Sequence, residues 1–157
     1  MKEWVAGRQR FRDRREEYRD RFERVAAVIR DYFKDGVGAR DPLTNQPLVT
    51  VVEGGDGYGS QVYEPLIVVE TITRHYILVG ILRIVDSAYQ ASPLRWESGQ
   101  IAGDRRGAMT RTMISEVEAL PDGDLRVDFG GDSMGRVADT LRGHLRAFEN
   151  EAFAVEG

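Results

Sequence analysis

The chain has 157 residues, 41% of them hydrophobic and 31% charged, with a formal net charge of −4. That is ordinary globular composition, with length enough for one domain spanning residues 1–157 and its own core. There is no cysteine, and His75 and His144 are the only histidines. This excludes disulfide scaffolds, thiol nucleophiles and cysteine-built metal sites, and nearly excludes a histidine-built one, so no metal and no cofactor are expected.

Residues 8–35 read as one long helix. Trp4, Phe11, Tyr18, Val25 and Tyr32 recur every seven residues, and Phe22 and Ile29 complete an apolar stripe. Gly36 and Gly38 stop it. Residues 1–35 hold 11 Arg and Lys against 8 Asp and Glu, whereas the rest holds 11 against 18, so a mildly basic helix precedes an acidic body. At about 100° per residue, Arg8, Arg12, Arg15 and Arg19 line one flank of the stripe and Arg10, Arg14 and Arg21 the other.

Such arginines cover the edges of an apolar seam while their heads stay wet. They suit a partner helix with acidic flanks, an anionic membrane surface or nucleic-acid phosphates. The plainer reading is a solvated helix laced by Arg12–Glu16, Glu17–Arg21, Arg19–Glu23 and Asp20–Arg24. Among the partners a protein comes first, because the acidic stripe on the opposite side repels both lipid and nucleic acid.

After a loop at 36–47, Leu48–Glu53 reads as a strand that ends in the glycine-rich turn Gly54–Ser60. That turn lacks the Lys-Ser/Thr pair of a phosphate loop and the regular oxygen spacing of a calcium loop. Gln61–Thr73 and His75–Asp86 follow. Of the 20 residues from Leu66 to Val85, 11 are Val, Ile or Thr, which favours strands over a buried helix. Leu66–Val69 and Ile77–Val79 are apolar at consecutive positions, so both faces of the sheet are expected to be apolar at its centre. One face is left to two helices. The other needs the excursion at 87–110, curvature of the sheet, or another subunit.

The excursion reads as irregular, with a short helix or turn inside it. Trp96, beside Arg95, is either an interface anchor or a plug for the open face of its own sheet. Arg111–Leu120 and Asp124–Phe129 form a hairpin about Pro121-Asp122-Gly123. The last helix is expected from about Ser133 to Phe153, capped by Asp132 or Ser133, with Met134, Val137, Ala138, Leu141, Leu145 and Phe148 on its apolar face. The result is an α+β class: a five-stranded, mainly antiparallel curved sheet, with a long N-terminal helix and a C-terminal helix on one face, the body running over 48–153.

No catalytic motif stands out, and no catalytic residue is assigned. The first reading is a non-enzymatic assembly, adaptor or structural subunit. It would form oligomers or dock in a larger complex through the first helix and an apolar sheet face, with Phe11, Tyr18, Arg8, Arg12, Arg15, Arg19 and Trp96 as contact residues. Protein partners are expected, a homo-oligomer first among them, with neither nucleic acid nor membrane. With no apolar leader at Met1–Phe11, the expected place is the cytoplasm or a virus particle assembled there.

The second reading is a small-ligand binder or enzyme with a pocket in a curved sheet, marked by Glu70, His75 and Arg83 converging. The element order is also loosely similar to that of the small acidic dimeric secretion chaperones, which run helix, three strands, helix, two strands, helix. That resemblance, in order alone, implies a dimeric chaperone as a further alternative.

Overall fold

The computed structural model describes residues 1–54, 63–82, 93–103, 105–130 and 140–154. Helix α1 (Lys2–Gly38) leads into strands β1 (Val49–Gly54), β2 (Tyr63–Thr71), β3 (His75–Leu82), β4 (Leu94–Ala102), β5 (Arg105–Ala119) and β6 (Leu125–Gly130). Helix α2 (Leu141–Ala152) closes the chain. The strands form one antiparallel meander in sequence order. The α+β class and the presence of the two helices are as expected, but the sheet has six strands, and α1 starts at Lys2 and runs through Gly36 to Gly38, where the extended Ala39 and not a left-handed glycine caps it.

The additional strand is β4, inside the stretch read as an irregular excursion. Leu94-Arg95-Trp96-Glu97 alternates apolar and polar, the two-residue period of a strand. Leu94 and Trp96 are buried on the helix side. Gly99, which weakens a strand in isolation, is buried opposite Tyr76 of β3. β5 likewise begins six residues earlier than expected.

Each strand sends alternate side chains to the helices. Val49, Ile67, Val69, Ile77, Val79, Ile81, Leu94, Trp96, Ile114, Leu125 and Val127 form the floor of the core. Tyr18, Phe22, Val25, Ala26, Val28, Ile29 and Phe33 of α1 and Leu141, Leu145 and Phe148 of α2 form its roof. Ile114 and Val117 are three apart, the wrong spacing for one face of a regular strand. An irregularity between Ile114 and Glu116 absorbs the extra residue, so Ile114 pairs with Phe129 and Val117 with Val127.

The opposite face is also apolar at its centre. Leu66, Val68 and Tyr76 lie outside the cluster beneath the helices, yet all three are buried in the single chain. The Tyr76 hydroxyl donates to Glu97 at 2.6 Å, and Arg111 stands 3.4 Å from the same carboxylate. No second subunit is needed to shield these residues.

Among the described residues, Asn45, Arg74, Gly103 and Gly123 lie in the left-handed region. Gly123 (φ 86°) sits in the expected Pro-Asp-Gly turn. Arg74 (φ 68°) takes an unusual conformation for a side-chain-bearing residue between β2 and β3. Its guanidinium is held by the carbonyls of Ile101 (3.1 Å) and Gly103 (2.7 Å), which ties the β2–β3 turn to the β4–β5 turn.

α2 begins later than expected, at Leu141, because Thr140 is its N-cap, with the hydroxyl accepting from Gly143 N–H at 3.1 Å. The Asp132 and Ser133 caps and the stripe residues Met134, Val137 and Ala138 lie outside the described residues. The helix is pinned by buried Asp124, whose carboxylate accepts from Leu125 N–H (2.7 Å) and Arg142 N–H (3.1 Å). Arg142 in turn reaches Asp31 of α1 at 2.9 Å.

Candidate docking surface on the first helix

α1 has 37 residues, and at about 1.5 Å per residue it runs about 55 Å. Its buried residues begin at Tyr18. The stripe that packs on the sheet continues upstream as Trp4, Phe11 and the arginines between them, but nothing there is fully buried. Trp4 is 50% and Val5 57% exposed, while Phe11 and Arg15 are half-buried. A concavity of about 620 Å³ lies along this face, lined by Trp4, Val5, Arg8, Gln9, Phe11, Arg12 and Arg15. The Arg8 guanidinium sits 4.9 Å from the centre of the Trp4 ring, a cation–π contact.

Residues 1–17 hold six basic and four acidic residues, a net of +2, and the remaining chain nets −6. Of the expected same-helix pairs, Arg12–Glu16 stands at 3.5 Å, Arg21–Glu17 at 2.6 Å and Arg24–Asp20 at 3.2 Å. Exposed pairs of this kind are worth only a few tenths of a kcal/mol, so they do not bar exchange for a partner's carboxylates.

The structure sorts the sequence-predicted contact residues into two groups. Arg8, Phe11, Arg12 and Arg15 share the concave face, and Arg19 is exposed one turn further on. Tyr18 and Trp96 belong elsewhere. Tyr18 is 9% exposed and part of the chain's own core, so it is no anchor for another molecule. Trp96 is fully buried on the helix side of β4, edge-on to Phe129 at 5.4 Å. Its indole N–H has no acceptor, so the ring is there for packing. Sequence reasoning passed over Trp4 and Val5 as contact residues, although Trp4 opens the same heptad series as Phe11.

The pocket reading fares differently. Ile67 and Val69 put odd-numbered β2 residues on the helix side, so Glu70 faces the opposite way. His75 lies on the helix side, its ring 6.5 Å from Phe148 and its Nδ1 3.1 Å from the Thr73 hydroxyl. Arg83 lies outside the described residues. Glu70 and His75 therefore do not converge, and the space beneath the helices is filled by apolar side chains.

A cleft of about 390 Å³ remains between the C-terminal ends of both helices and β1, lined by residues including Tyr32, Phe33, Leu48, Glu149 and Phe153. Burial first, then the negative Glu149, raises the Tyr32 phenol above its ordinary value, so it stays protonated. Among the described residues no three of His, Asp and Glu are grouped to hold a metal ion. No described helix is long and apolar enough to cross a membrane. No family model, curated protein or solved structure matches the chain.

Proposed function

We propose that the chain is a non-enzymatic structural or adaptor subunit, and that residues 2–16 of α1 are the arm by which it docks on a protein partner bearing acidic groups. One observation carries this reading: the apolar stripe of α1 continues to Trp4, about 21 Å beyond Tyr18, where burial in the chain's own core ends. An isolated helix of that length is marginal in water, so the arm gains stability from whatever covers Trp4, Val5 and Phe11. Aromatic anchors flanked by arginine are the usual composition of protein contact sites. Arg8 and Arg12 supply forks for carboxylates. The apolar sheet face is left out of this reading, since Leu66, Val68 and Tyr76 are already buried in the single chain.

The test is deletion of residues 1–16. The truncated chain is expected to keep a melting temperature within a few degrees of the full chain while losing its partners in a pull-down. If stability collapses and the partners remain, the arm is part of the fold and the proposal is wrong.

A further inference from the structure

The meander has two edges, and the chain treats them differently. β6 is bridged on its free side by Thr140, through Arg126. β1, at the other edge, pairs with β2 alone, and among the described residues no segment pairs with its second side.

The phase of the β1–β2 ladder decides which groups face outward. Ile72 N–H donates to the Leu48 carbonyl at 2.9 Å, and the register continues as Val49 opposite Thr71 and Thr50 opposite Glu70. In an antiparallel pair, successive residues alternate between bonding to the neighbour and pointing away from it. Even-numbered residues of β1 therefore bond to β2. Val49, Val51 and Glu53 direct their N–H and C=O groups to the open edge.

The usual protections of an edge are thin here. β1 carries no proline, no lysine and no bulge. Its one charge, Glu53, is on the helix side and is held by Arg30 at 2.7 Å. Val52, on the opposite face, is 46% exposed.

The geometry points to a second copy of this chain as the occupant, with β1 pairing antiparallel to β1 about a two-fold axis at Val51. An identical strand fits because the outward groups sit at odd positions only. With Val51 on the axis, Val49 meets the partner's Glu53, and every outward donor finds an outward acceptor. Thr50 then lies beside the partner's Val52, a β-branched cross-strand pair that covers the exposed valine. The two Glu53 carboxylates stand four positions apart, each neutralised by its own arginine. The two six-stranded sheets become one continuous sheet. This surface is separate from the helical arm, so either can fail without the other.

Sedimentation equilibrium of the full chain across the micromolar range tests it, with the expected result that the mass doubles as concentration rises. Val51→Pro removes an N–H that faces only the open edge, so it should abolish the doubling and leave the far-ultraviolet circular dichroism unchanged. Val52→Lys, on an exposed face, should weaken the dimer about ten-fold or more. Thr50→Pro removes a donor used by β2 and should lower the melting temperature instead. Amide exchange at Val51 and Glu53 should slow only at concentrations where the mass has doubled. A monomer at every concentration, or a dimer that survives both Val51→Pro and Val52→Lys, overturns the proposal. So does a dimer lost on deleting residues 1–16 but kept in Val52→Lys.

Discussion

The two halves of α1 carry the same pattern to different ends. Trp4 and Phe11 continue the heptad series of Tyr18 and Val25, yet Val25 is fully buried and Trp4 is half exposed. The difference is in what lies beneath. Strands spaced about 4.8 Å apart make a six-stranded sheet about 24 Å across, and every strand but β5 has nine residues or fewer, at most about 30 Å. A straight helix of about 55 Å outruns most of that platform, and its buried residues begin only at Tyr18. An amphipathic stripe therefore records where a helix is able to bury itself, and the length of the platform decides where it does so.

Breaking the platform should have the largest effect. Val127→Asp puts a carboxylate among Leu125, Phe129 and the α2 side chains, and such unpaired burial costs several kcal/mol by order of magnitude. The expected outcome is a chain that is unfolded, or nearly so, at room temperature by circular dichroism.

Within α1, Ile29→Ala should cost about 2–5 kcal/mol in urea unfolding, as for any fully buried aliphatic side chain. Trp4→Ala should change stability by about 0.5 kcal/mol or less, because its surroundings are already half wet. The reverse order is expected for partner capture: near-complete loss for Trp4→Ala and little change for a still-folded Ile29→Val. Equal stability losses at positions 4 and 29 would erase the distinction between the halves.

Smaller effects should appear where α2 is fastened over the C-terminal half. Thr140→Ala removes the cap on Gly143 N–H and should cost about 1 kcal/mol. Smaller still is the contribution of Asp31. A hydrogen bond from Lys34, and then one from Arg142, hold its carboxyl below the ordinary carboxylate range. Because the folded-state value is depressed, the stabilisation is present above the unfolded-state pKa of about 4 and is lost as pH falls through the lower folded value. Asp31 is exposed, so the difference between Asp31→Asn and the parent should be slight at neutral pH, and it should vanish in strong acid. A melting-temperature gap between the two that widens on acidification would contradict this.

The Pro121-Asp122-Gly123 hairpin and the alternation of β6 were legible because turn chemistry and period-two patterning are local properties. β4 was missed because Ser98 and Gly99 resemble loop punctuation. Their acceptance in a strand depends on β3 and β5 lying on either side and on Tyr76 standing opposite Gly99. The start of α2 was misplaced because an aspartate and a serine upstream were equally good caps by type. The choice of Thr140 goes with its bridge to Arg126 and with Asp124 reaching Arg142 N–H, contacts between residues 14 and 18 positions apart. Of the candidate contact residues, the arginine flank was readable from helical spacing. The burial of Tyr18 and Trp96 was not, since an aromatic looks the same in sequence whether it faces a partner or its own core.

By itself, then, the sequence determined the periodic elements: a long first helix, strands apolar on both sides at the centre of the sheet, and one tight hairpin. These follow from dihedral preferences and the spacing of apolar side chains, which act over a few residues. The tertiary structure decided how many strands the sheet has, where the core beneath α1 ends, and that β6 is bridged at one edge while, among the described residues, nothing pairs with the outer side of β1 at the other. Those outcomes depend on which surfaces meet across the whole chain, and no local window of sequence contains both sides of such a contact.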